Sequence, residues 1–363
     1  MAQGDRRVQL FQCQRCGQTL FFENSLCESC GASLGYDAEA TVLHALVPAS
    51  GNDPLLWSPI GQSGGGAFRF CANVAQGVCN WLVPAASAER LCRACRHNRT
   101  IPDLSDPAHQ RAWQRLEAAK HRLIYQLIRL RLPLPSLAES PAGLAFDFLA
   151  DDAAVPGSVL TGHASGLITV NLREADDAER EQMRVDMHEP YRTLLGHFRH
   201  EVGHFYWDLL LRDGVRLEEC REIFGDDRED YAAALRRHYA EGAPSGWQQS
   251  FISPYASAHP WEDFAETWAH YLHIADTLET ASAFQLGVHP KRAESPDLHA
   301  DIRQNPYAQD SVDDLIESWI PLTFALNSLN RSMGLPDLYP FVLNPAAIAK
   351  LGFIHRLLQN AAG

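Results

Sequence analysis

The stretch Leu194-Leu195-Gly196-His197-Phe198-Arg199-His200-Glu201-Val202-Gly203-His204-Phe205-Tyr206-Trp207-Asp208-Leu209 decides how the chain is read. Leu194, Phe198, Val202, Phe205 and Leu209 recur at helical spacing and form one apolar stripe. His200 lies about 200° around such a helix from Val202. The stripe can therefore face a core while His200 and His204, stacked at i and i+4, face a cleft and reach one metal ion. Glu201, between them, is placed to act as a general base toward water. The bland alternative is two surface histidines beside a solvated glutamate.

A metal held by two histidines needs a third ligand. A third histidine at the extended-motif offsets is absent, because those positions hold Trp207 and Leu210. The other common arrangement takes a glutamate from a second helix. Downstream stands Pro260-Trp261-Glu262-Asp263-Phe264-Ala265-Glu266-Thr267-Trp268, where Pro260 can open a helix. Glu262 and Glu266 are one turn apart on one face, and Phe264, Trp268 and Tyr271 can share the buried face. Glu262 is favoured as ligand, with Glu266 orienting a histidine, and Asp263 remains the competing ligand.

Cysteines supply the second signal. Eight of the nine fall within the first 95 residues, and Cys220 stands alone. Cys13-x2-Cys16 and Cys27-x2-Cys30, each pair followed by Gly17 or Gly31, predict four thiolates around a structural Zn²⁺. Cys71, Cys79, Cys92 and Cys95 form a second, less regular candidate set, in which Cys71 and Cys79 could instead be small buried residues. Arg90, Arg93, Arg96 and Arg99 beside that set read as a solvated charged face. The cysteine spacing suits metal better than disulfides and needs reduced thiols. Residues 1–7 lead into a cysteine pair without an apolar run, so no secretory signal is expected and the cytoplasm is the natural compartment.

The 363 residues are 46% hydrophobic with a formal charge of −14, so nucleic acid and anionic membrane are poor partners. No apolar run is long enough to span a bilayer. Residues 1–100, with loops such as Gly64-Gly65-Gly66, read as a zinc-ribbon region with little core of its own. Residues 101–363 read as a mainly helical domain with a small sheet, so the fold class is α+β. Helices are expected over 110–132, ended by Pro133 and Pro135, and over 178–187, 190–212, 227–241, 260–279, 311–332 and 345–360. Strands are expected over 144–148 and 167–172, and a long loop over 285–310.

His200-Glu201-x-x-His204 with Glu262-x-x-Ala265-Glu266 resembles the gluzincin pattern of thermolysin-like enzymes and anthrax lethal factor. More narrowly, nearly the whole chain resembles a family of bacterial zinc-binding metallopeptidases with an N-terminal zinc ribbon. The resemblance is carried by 194–204, by 260–266, and by Ser332-Met333-Gly334-Leu335-Pro336-Asp337-Leu338-Tyr339-Pro340-Phe341. It implies a zinc metallopeptidase acting on a peptide or protein, with one catalytic zinc and one or two structural zincs. It also implies an oxyanion-stabilising tyrosine seven residues before the glutamate ligand, here Tyr255, and substrate backbone bound by an edge strand at Gly166–Asn171. His163, His188, His197 and His259 are expected to be surface or structural, with His197 the best candidate for a further cleft residue. The rival expectation is a zinc-ribbon adaptor whose histidine site is not catalytic.

Overall fold

The computed structural model describes residues 10–361, apart from 51–52, 63–65, 152–156, 158, 160, 187–192 and 292–297. Residues 1–7, Gly64, Gly65 and His188 lie outside the described residues, as do position 187 of one expected helix, 190–192 of the next and the middle of the expected loop.

The N-terminal hundred residues hold more structure than their cysteines and glycines foretell. A two-stranded ribbon, β1 (Phe11–Gln12) and β2 (Thr19–Leu20), carries the first cysteine pair. An antiparallel sheet follows, formed in sequential order by β3 (Ser33–Asp37), β4 (Val42–Pro48), β5 (Trp57–Pro59), β6 (Phe68–Phe70) and β7 (Leu82–Pro84). Leu34, Tyr36, Leu43, Ala45 and Trp81 are buried within it. The expectation of little core is therefore corrected. The three-residue strands β5, β6 and β7 are too short for an alternating pattern to show in sequence.

β8 (Asn98–Thr100) leaves this region to join a second sheet. Helix α1 (Pro107–Arg129) follows, opened by Pro107 and by Asp106, whose carboxylate accepts the Ala108 N–H at 2.7 Å. It stops before the expected prolines, and Arg131 takes a left-handed conformation, φ 57°. The second sheet has the order β10-β11-β9-β8, from β9 (Ala145–Leu149), β10 (Gly162–Ala164) and β11 (Leu167–Asn171). β9 runs parallel to both neighbours, and β10 folds back antiparallel on β11 through Ser165-Gly166. The edge beside the metal residues is consequently β10. The expectation that 166–171 forms it is corrected, because the tight turn lays Gly162–Ala164 outside β11.

The remaining chain is helical: α2 (Asp177–Asp186), α3 (Leu194–Leu210), α4 (Leu217–Phe224), α5 (Tyr231–Glu241) and α6 (Pro260–Ala283). α4 had no expected counterpart. The expected loop contains a two-residue pairing of β12 (Gly287–Val288) with β13 (Ala300–Asp301). α7 (Val312–Ser332) and α8 (Pro345–Ala361) complete the chain. The architecture is α+β. Among the described residues no helix is long and apolar enough to cross a membrane.

The core between α3 and α6 positions the site. Phe198, Val202, Phe205, Phe264, Trp268 and Tyr271 are buried on the two helices, whereas Leu209 is exposed. The helices cross at Gly203 and Ala265. A Cβ on Gly203 would sit 3.0 Å from Ala265 Cα and 3.3 Å from Trp268 Cβ. A larger residue at 203 would push α6, and with it Glu262, away from His200 and His204.

Candidate metal centre

Each metal-facing side chain is placed by a capped helix. Thr193 opens α3 by accepting the Gly196 N–H at 3.0 Å. His259 opens α6, its Nδ1 accepting the Trp261 N–H at 3.0 Å while Nε2 donates to the Glu229 carbonyl. His259 is thus a structural cap.

Where the two helices cross, His200 Nε2 lies 3.2 Å from His204 Nε2, and Glu262 Oε2 lies 2.9 Å and 3.5 Å from those nitrogens. All three residues are buried. Glu266 Oε1 is 2.8 Å from His200 Nδ1, and Ser253 Oγ donates to Glu266 Oε2 at 2.5 Å. A carboxylate can only accept, so Nδ1 of His200 carries its proton and Nε2 can keep a lone pair. Two imidazole nitrogens and a carboxylate oxygen that has no hydrogen-bond partner therefore converge on one point. Crowding of acceptors is costly when buried without a cation, and a zinc ion fits this donor set. Without one, burial lowers the His200 pKa, but the hydrogen bonds and charges of Glu262 and Glu266 raise it well above the ordinary value.

Asp263, the competing ligand, points elsewhere. Lys350 of α8 donates to its Oδ2 at 2.6 Å, and both side chains are buried. Burial pushes the Asp263 carboxyl up to about 7 against the opposing pull of Lys350.

Glu201 is buried on the same helical turn and is gripped by His197, whose Nε2 is 3.0 Å from Glu201 Oε1. The other ring nitrogen, Nδ1, is 2.5 Å from Glu174 Oε2 in the helical turn that follows β11. Burial opposes the His197 charge, but the two carboxylates raise its pKa to about 9. Burial would also raise Glu201, yet the His197 hydrogen bond and the nearby imidazoles hold it at about 2. His163, on β10, accepts the Gly166 N–H on Nε2 at 2.9 Å, and its ring lies 6.0 Å from those of His204 and Trp261.

Tyr255 lies in a short turn with its ring 5.9 Å from the His200 ring. A second tyrosine, invisible in the sequence, comes closer to the ligands. Tyr231 on α5 donates its hydroxyl to Glu262 Oε1 at 2.6 Å. It is 31 residues from Glu262, and no spacing rule connects the two.

The two cysteine sets also close. Gly17 and Gly31 adopt φ 77° and 70°, and their N–H groups donate to Cys13 and Cys27 carbonyls at 2.8 Å. Cys13, Cys16, Cys27 and Cys30 bring their sulfurs within 4.8 Å of one another, as do Cys71, Cys79, Cys92 and Cys95. The four arginines near the second set do not share one solvated face. Arg90 and Arg99 are exposed and keep the solvated reading, Arg99 while paired with Asp147, whereas Arg93 and Arg96 are half-buried, Arg96 3.6 Å from Glu139.

Residues 109–357 match the model of a family described as "Putative zinc-binding metallo-peptidase", and residues 10–106 match that of a zinc-ribbon domain. An uncharacterized protein of Mycobacterium tuberculosis is 43% identical over 354 residues, covering 97% of this chain and 96% of the relative. An uncharacterized protein of Mycobacterium bovis is similar to the same extent. No solved structure matches the chain.

Proposed function

The chain belongs to the zinc-binding metallopeptidase family whose model it matches over residues 109–357, and from that premise we propose that it hydrolyses a peptide or related amide bond with Glu201 as general base. The observation that carries this reading is the convergence of His200 Nε2, His204 Nε2 and Glu262 Oε2 beside Glu201. The substrate class is a peptide or protein, and the gluzincin comparison supplies the order of roles.

Zinc at this point supplies Lewis acidity, making water easier to deprotonate and polarising a carbonyl. His200, His204 and Glu262 would hold the ion, and Glu266, accepting from His200 Nδ1, leaves Nε2 of that ring available to it. Glu201 takes a proton from water and later delivers it to the leaving amine. His197, anchored by Glu174, holds one Glu201 oxygen and leaves the other for that proton. Tyr255 donates to the developing oxyanion, while Tyr231, whose one hydroxyl proton goes to Glu262 Oε1, steadies the ligand carboxylate. The outer edge of β10 accepts the substrate backbone as an added strand.

Zinc-loaded protein incubated with a peptide library, and read by mass spectrometry for new termini, tests the reading. Cleavage should stop with 1,10-phenanthroline and return with added zinc. Persistence of the same cleavage after complete removal of the His-bound metal would rule it out.

A further inference from the structure

We propose a further metal site, in which a second zinc ion is held by Cys95, Glu117 and His121 and shares the Cys95 thiolate with the four-cysteine site. Cys95 Sγ lies 3.7 Å from His121 Nε2 and 4.0 Å from Glu117 Oε2. The three donor atoms fall within 4.8 Å of one another and all three residues are buried. Glu117 and His121 come from α1, outside the ribbon.

Both α1 donors are oriented as ligands. His121 Nδ1 donates to the Glu117 carbonyl at 2.7 Å, so its Nε2 can present a lone pair toward the sulfurs. A backbone carbonyl fixing the far ring nitrogen is how metal-binding histidines are commonly held. Glu117 Oε1 takes Lys120 Nζ and Asn98 Nδ2, each at 2.8 Å. Oε2 is left turned toward Cys95, and lies 3.3 Å from His121 Nδ1.

Charge points the same way. Four thiolates around one zinc leave two negative charges in excess. The Glu117 charge is already matched by Lys120, which is fully buried with it. An unbalanced pair of buried charges is costly, and a second divalent ion between Cys95, Glu117 and His121 cancels it. Mixed sulfur, nitrogen and oxygen donors suit zinc. The site would bind the ribbon to α1, and through α1 to α3, by coordination as well as packing.

Two measurements on the full chain decide. By native mass spectrometry, wild type loaded with excess zinc should hold one ion more than His121→Ala. Equal counts would mean that His121 only donates a hydrogen bond to Cys95, and would overturn the proposal. The second measurement needs no variant. Cadmium-113 NMR of the cadmium-loaded protein should show an all-sulfur resonance and a mixed-donor resonance split by each other through the shared sulfur. An all-sulfur resonance for Cys71, Cys79, Cys92 and Cys95 without such a partner would also overturn it.

Discussion

At the scale of single residues, neighbouring carboxylates have been given opposite tasks by their partners. Glu262 faces two imidazole nitrogens, while Asp263, one residue on, faces Lys350. Glu262→Ala should therefore fold and lose the His-bound zinc. Asp263→Ala should keep that zinc but lose about 3–5 kcal/mol of stability, the usual cost of leaving a buried charge unpaired. Zinc content by plasma mass spectrometry, paired with urea denaturation, separates the two, and the reverse pattern would move the ligand role to Asp263. The spacing of His200 and His204 is enough to put both on one face with Glu201 beside them, and the Glu262/Glu266 repeat is enough to suggest their partner. Tyr231, Ser253 and Glu174 were not legible, because each reaches the site from a different element and no local periodicity records that meeting.

At the scale of elements, α6 is the beam on which the site rests, and it is clamped from two sides. Lys350 ties it to α8, and Tyr339 ties it to the stretch after α7 through a 2.7 Å contact with His270 Nδ1. Asn327 grips the Tyr339 backbone in both directions, at 2.9 and 3.0 Å, which gives the 332–341 stretch its structural purpose. Long helices were legible from their apolar spacing, α6 and α7 nearly to their ends. α4 was not, since eight residues carry too little pattern, and β10 was hidden by its brevity. His270 makes the clamp sensitive to acid. Burial lowers its pKa from 6.5 to about 4, with Glu266 only partly opposing. A histidine whose folded pKa is depressed adds stability above its unfolded pKa, and that stability is lost as pH falls from 6.5 toward 4. The stability advantage of wild type over His270→Gln in urea should shrink by about 2–3 kcal/mol between pH 7 and pH 4.5. A pH-independent difference would show that His270 is not buried neutral.

At the scale of the whole molecule, the ribbon region and the helical region share one core. Phe22 and Tyr36 pack around Tyr125 of α1 at centroid distances of 5.1 and 6.0 Å, and β8 crosses over to pair with β9. A division near residue 100 describes the sequence well but cuts close to β8, so we expect residues 101–363 alone to be poorly folded. Such a truncation should bind a hydrophobic dye and unfold without a cooperative transition, whereas a sharp transition at the full-length temperature would show the helical region to be independent. The claim that governs the rest is that this core holds a working hydrolytic centre, and Glu201→Gln tests it most directly. The substitution keeps shape but cannot take a proton. It should retain wild-type zinc content and lower the rate of peptide-library cleavage by about two to four orders of magnitude. Full activity in Glu201→Gln, or no cleavage by zinc-loaded wild type while the variant captures the same partners, would contradict it.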